Sequence, residues 1–87
     1  MRLIRMKRIV ILPAAAKSLR RHRSDAARIL SKIEAYAENP GSQANNVKAL
    51  QGSSGLRLRV GDFRVVFEET ATEVIVTKIG PRGGIYD

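Results

Sequence analysis

Leu56-Arg57-Leu58-Arg59-Val60-Gly61-Asp62-Phe63-Arg64-Val65-Val66-Phe67-Glu68 is the stretch that decides the fold. Two largely alternating runs flank Gly61-Asp62, and a two-residue loop with glycine first suits a type II′ hairpin turn. Such a turn fixes the register. Val60 faces Phe63, Arg59 faces Arg64, Leu58 faces Val65, Arg57 faces Val66 and Leu56 faces Phe67. Alternation then gives one face to Leu56, Leu58, Val60, Phe63, Val65 and Phe67, an apolar surface for helices to cover. The other face carries Arg57, Arg59, Arg64 and Val66.

Working outward, Arg8 to Leu12 reads as a short, buried, β-branched strand. Pro13 fits a first helical position, and Ala14 to Leu19 is good helix material ending in the basic run Arg20-Arg21-His22-Arg23. Ser24 is the expected N-cap of a second helix, with an apolar stripe at Ala26, Ile29, Leu30, Ile33 and Ala37. Asn39-Pro40-Gly41 stops it. Residues 41–55 are polar and glycine-rich, hence an expected loop, pinned to the core by Val47 and Leu50. Glu73–Ile79 is a further strand, apolar almost throughout as if buried on both faces. The order βααβββ predicts an α+β domain over 1–87, with a helical hairpin on one face of a mainly antiparallel four-stranded sheet.

Composition narrows the function. The 87 residues have no cysteine and one histidine, His22, which excludes a disulfide framework, a thiolate zinc site and a multi-histidine metal cluster. No cofactor or metal is expected. No apolar run approaches the ~20 residues of a membrane span, so no membrane partner is expected. The N-terminal run interleaves charge with apolar residues and lacks a signal peptide's apolar core, so a cytoplasmic location is the expectation. Net charge is +8, and all of the excess lies in residues 1–55, which hold eleven bases and three acids, while residues 56–87 hold five of each. That balance favours a polyanionic partner.

The hairpin sharpens this. Like charges opposed across a ladder are unfavourable, and a sheet with purely structural aims would mix signs there. Three guanidiniums on one short face instead make a clamp for phosphate, since each can fork two donors onto its oxygens. The competing reading is a solvated strand face, with Glu68, Glu69 or Glu73 supplying counter-charge. Arg82, in the glycine-rich stretch after the last strand, would come back towards that face if the strand pairs beside Phe63–Glu68. Tyr86 could stack on a base.

These residues resemble the toxins of the RelE/ParE superfamily. The resemblance rests on Leu56 to Phe67, on Ile79-Gly80-Pro81-Arg82 with Tyr86, and on the helical hairpin and Lys48-Ala49-Leu50-Gln51-Gly52 in matching order; it runs from Lys7 to Tyr86. It implies the toxin of a bacterial type II toxin–antitoxin pair. RelE-like members cut mRNA in the ribosomal A site and so inhibit translation. The ribose 2′-OH attacks the adjacent phosphate, leaving a cyclic phosphate and a 5′-OH, without a metal. The resemblance assigns Arg57, Arg59, Arg64, Arg82 and Tyr86 to the catalytic site, with Arg64 and Arg82 stabilising the transition state and Tyr86 stacking on the base. Arginine is a poor general base, so the role of the lysines that relatives carry on the first hairpin strand does not transfer to Arg57 or Arg59. Lys48, Lys78, Glu68 and Tyr86 remain equal candidates for proton transfer.

Arg20, Arg21, Arg23, Arg28 and Lys48 are the expected contacts to RNA and the ribosome. The expected partners are a cognate antitoxin, the ribosome and mRNA, with no sequence-specific DNA binding by this chain alone. Two alternatives stay open: a ParE-like toxin that inhibits DNA gyrase, and a non-catalytic RNA-binding module.

Overall fold

The computed structural model describes residues 6–52 and 54–83. The elements are β1 (Arg8–Ile11), α1 (Pro13–Arg21), α2 (Arg23–Glu38), a 3₁₀ segment (Pro40–Asn46), β2 (Val47–Ala49), β3 (Leu56–Val60), β4 (Phe63–Glu69) and β5 (Glu73–Pro81). They form one sheet in the order β1-β5-β4-β3-β2, in which only the β1–β5 pairing is parallel. The α+β class and the helical hairpin agree with the sequence reading. The strand count does not: the sheet has five strands, because Val47–Ala49 pairs antiparallel with β3. Residues 41–55 are therefore not a simple loop. Proline at its start favours the 3₁₀ turn, and Val47 packs partly against the core, setting the short edge strand beside β3.

The hairpin register is the predicted one at all five pairs. Gly61 has φ +57°, and among the described residues no non-glycine has positive φ, as a II′ turn with glycine first requires. Its apolar face forms the core. Leu58, Val60, Phe63, Val65 and Phe67 pack with Val74, Val76 and Ile79 of β5 under Ile29, Ile33 and Ala37 of α2 and Ala15 of α1.

Other details depart from expectation. Helix α2 starts at Arg23 after His22, with no side-chain cap, so Ser24 lies inside the helix. Strand β1 is not the buried strand expected: it sits at the sheet edge with β5 as its one neighbour, and Ile9, Val10 and Ile11 are only half-buried. Tyr36 joins the buried stripe of α2, where its ring meets Phe67 edge-on at 4.9 Å.

Strand β5 is not symmetrically buried, and the reason is a bulge. Phe67 pairs with Val76 and Val66 with Lys78, which leaves Thr77 as an extra residue. The Thr77 hydroxyl donates to the Val66 carbonyl at 3.1 Å. The bulge switches the strand's parity. Val74 and Val76 face the helices before it, and Ile79 does so after it, so apolar residues fall at both even and odd positions along a strand with one core face. Lys78 and Gly80 are thereby sent to the opposite, open face, beside Val66 and Arg64.

Candidate nucleic-acid interface

Register brings the cations of the open face into two rows. Lys48 pairs with Arg57, Arg57 with Val66 and Val66 with Lys78, so one row crosses four strands. Arg59, Arg64 and Gly80 form the next row towards the turn. The Arg82 amide donates to the Asp62 carbonyl at 2.6 Å, which ties the segment after β5 to the hairpin turn. Carried one residue past the strand, the alternation Lys78, Gly80, Arg82 keeps Arg82 on the open side. Four predicted residues, Arg57, Arg59, Arg64 and Arg82, thus converge on one face. Tyr86 lies outside the described residues.

The arginines differ in setting. Arg59 and Arg82 are exposed, Arg57 is half-buried, and Arg64 is buried at 9% exposure. Arg64 Nη1 donates to the carbonyls of Phe63 and Gly61 at 3.2 and 3.3 Å. These acceptors offset the repulsion that its position opposite Arg59 creates. Arg64 therefore braces the turn as well as facing the site, a role that the alternating pattern alone does not reveal.

Beside the first row lies a cleft of about 800 Å³. It is lined by Lys48, Arg57, Val66, Glu68, Thr77 and Lys78 on the sheet and by the segment Leu50-Gln51-Gly52 over it. Of the proposed counter-charges, two are committed elsewhere: Glu69 pairs with Lys7 at 2.6 Å and Glu73 with Arg8. Among the described lining residues Glu68 is the one carboxylate, against three cations. Such a lining suits a phosphodiester, with Val66 and Leu50 offering apolar contact to a sugar or base.

The helical cations are arranged differently. Arg20, Arg21 and Arg23 are exposed at the α1–α2 corner. His22, between them, meets Phe63 edge-on at 5.0 Å, so the corner abuts the hairpin end. Arg28 pairs with Asp25 at 3.1 Å, and its guanidinium lies 3.1–3.3 Å from where a Cβ on Gly61 would stand. Arg28 is thus packed on the turn. Lys48, grouped with these from sequence, belongs to the sheet face instead.

A separate cluster was missed from sequence. Glu69 accepts from the Tyr36 hydroxyl at 2.5 Å and from Lys7 Nζ at 2.6 Å, while Lys7 also donates to the Thr70 carbonyl at 2.7 Å. Burial raises the Glu69 pKa, but the hydrogen bonds from Lys7 and Tyr36 and the charge of Lys7 outweigh it and hold the carboxyl below its ordinary value. Burial, then the bond to Glu69 and its charge, push the Tyr36 phenol well above the usual tyrosine range. No short-range pattern links residues 7, 36 and 69; the fold alone assembles them.

The fold, a helical hairpin on one face of a mainly antiparallel sheet, has solved counterparts. The archaeal RelE–RelB complex from Pyrococcus horikoshii OT3 superposes with a TM-score of 0.74 at 23% identity, over 92% of this chain and 99% of that one. The toxin–antitoxin complex RelBE2 from Mycobacterium tuberculosis gives a TM-score of 0.70 at 17% identity, over 88% and 99%. No curated protein sequence matches the chain. The sequence profile of the ParE toxin of type II toxin–antitoxin systems, parDE, matches residues 9–86. The chain belongs to that toxin family, within the RelE/ParE superfamily.

Proposed function

We propose that this toxin is a ribosome-dependent, metal-independent endoribonuclease that cuts mRNA in the A site through attack of a 2′-OH on the adjacent phosphate. The observation that carries this reading is the convergence of Lys48, Arg57, Arg59, Arg64, Lys78 and Arg82 on one open face with a cleft beside it. Fixed cations aimed at a phosphodiester stabilise charge that develops during the displacement. Arg59 and Arg82, exposed on that face, reach the phosphate, with Arg64 behind them. Tyr86 is assigned to base stacking on the resemblance alone. Arg20, Arg21 and Arg23 dock ribosomal RNA at the neighbouring corner, and that binding weakens as salt rises.

The reading includes a partner. Two solved structural neighbours are the RelE–RelB complex and the toxin–antitoxin complex RelBE2, and on this reading the present toxin is held in check by a cognate antitoxin in the cytoplasm. The +8 charge suits an acidic antitoxin segment.

One observation favours a second reading, inhibition of DNA gyrase: the family profile matched is that of ParE. A paired assay separates the two. The protein is added to a translating reaction with mRNA ends mapped, and to gyrase with relaxed plasmid. Cuts in mRNA that need the ribosome, with gyrase unaffected, support the first reading. Loss of supercoiling with intact mRNA establishes the second.

A further inference from the structure

The 2′-OH attack needs a group that takes a proton and a group that gives one, and no arginine serves as the first. From sequence Lys48, Lys78, Glu68 and Tyr86 stood level as candidates, and three of them, Lys48, Lys78 and Glu68, lie among the described residues. The fold places all three in one cleft, around Arg57 and Val66, and elementary acid–base chemistry then separates them. At neutral pH a lysine ammonium holds its proton and an ordinary carboxylate does not, so the acceptor is sought among carboxylates. Glu68 is the one carboxylate among the described cleft residues, exposed on β4. The ion pairs among the described residues engage Glu69, Glu73 and Asp25, not Glu68.

We propose that Glu68 is the general base and Lys48 the general acid of the cleavage, with Arg57 holding the phosphate between them. The proposal rests on the endonuclease reading above. Its geometry comes from strand order. Glu68 is on β4, Arg57 on β3 and Lys48 on β2, and Lys48 and Arg57 are direct partners. Neighbouring strands lie ~4.8 Å apart and Glu68 stands two residues along β4 from Val66, the partner of Arg57, so base and acid stand roughly 12 Å apart on a diagonal across the sheet, with Arg57 on the strand between them. In-line displacement asks for that order, because the entering O2′ and the leaving O5′ lie on opposite sides of phosphorus. Lys78 is the alternative acid, but it lies on β5, on the same side of Arg57 as Glu68.

The step balances. The Glu68 carboxylate takes the 2′-OH proton, O2′ bonds to phosphorus, and the P–O5′ bond breaks. O5′ takes the Lys48 proton, giving a 2′,3′-cyclic phosphate and a 5′-OH. Nothing is oxidised or reduced.

The test is single-turnover cutting of mRNA on programmed ribosomes at saturating full-length protein, across pH 5 to 9, for wild type, Glu68→Gln, Glu68→Asp and Lys48→Met. Thermal melts confirm that each variant folds. Glu68→Gln is expected to cut roughly 10²–10⁴-fold more slowly and to lose the rise of rate with pH on the acid side. Glu68→Asp retains that rise, with partial activity. Lys48→Met loses the fall on the alkaline side. Wild-type cutting with Glu68→Gln at full rate, or slowed with its acid limb intact, overturns the assignment of the base while leaving the endonuclease reading in place. An unchanged alkaline limb in Lys48→Met overturns the acid. Wild type that cuts nothing removes the reading and this proposal together.

Discussion

Two charged clusters sit on the same strand, β4, and they are built on opposite rules. At Glu69 the carboxylate meets a lysine and a phenol at 2.5–2.6 Å, and three distant parts of the chain are tied together. One residue earlier, Glu68 turns to the open face, where Arg57, Lys48 and Lys78 outnumber it in the cleft. Alternation along a strand makes the difference. A charge matched by partners holds a fold in place; an excess of one sign facing solvent leaves electrostatic work for a ligand to complete. The same contrast separates Arg64, which braces the turn, from Arg59 opposite it, which is exposed.

The sharpest way to break this comparison is to damage the core that carries both clusters. Phe67 is 1% exposed, packs on Tyr36 and precedes both glutamates. Phe67→Ala is expected to cost about 3–5 kcal/mol, a large share of the stability of so small a domain. Thermal or urea unfolding reads it directly. A cost under 1 kcal/mol would mean that the helices do not cover this face.

Arg82→Ala and Arg64→Ala separate site from scaffold. The Arg82 amide bond to Asp62 survives the substitution, and the side chain is exposed, so stability should hold to within ~0.5 kcal/mol. Cutting of ribosome-bound mRNA should fall by roughly 10²–10³, the usual loss for one charge-stabilising donor. Arg64→Ala should lose activity too, but it also removes donors to two turn carbonyls and should destabilise by about 1–3 kcal/mol. Equal stability in both variants would show that Arg64 has no structural part.

How much of this was legible beforehand follows from the range of each pattern. The β3–β4 register was readable because a two-residue turn with glycine first leaves one pairing. The parity switch in β5 was not, since a bulge depends on the partner strand and looks, in one dimension, like a strand apolar on both faces. Strand β2 was hidden because three residues, two of them exposed, carry no alternation. The four arginines of the site could be picked out by residue type and position; the burial of Arg64, the packing of Arg28 on Gly61 and the cleft around Glu68 are products of the assembled fold.

The Arg28 contact makes its own test. Gly61→Ala puts a Cβ at φ +57°, a strained region, and 3.1 Å from a flexible guanidinium. The expected cost is about 1–2 kcal/mol. Adding Arg28→Ala should recover the part due to the contact and leave the part due to φ. Strict additivity of the two changes would show that Arg28 does not rest on the turn.

The smallest effect is the most specific to the paired cluster. Tyr36→Phe removes one bond to Glu69 and should cost about 1–2 kcal/mol near neutrality. Its pH dependence has a definite sign. The Glu69 carboxyl is held below its unfolded value, so its contribution is present above the ordinary carboxylate range and lost as pH falls through the folded value. The Tyr36 phenol is raised, so its contribution is complete below the ordinary tyrosine range and fades as the solution becomes strongly alkaline. Stability measured by urea unfolding should therefore decline at both ends for wild type. In Tyr36→Phe the alkaline decline should disappear and the acid decline should shrink, because Lys7 still holds the carboxylate. Lys7→Met should reduce the acid decline while the tyrosine bond remains.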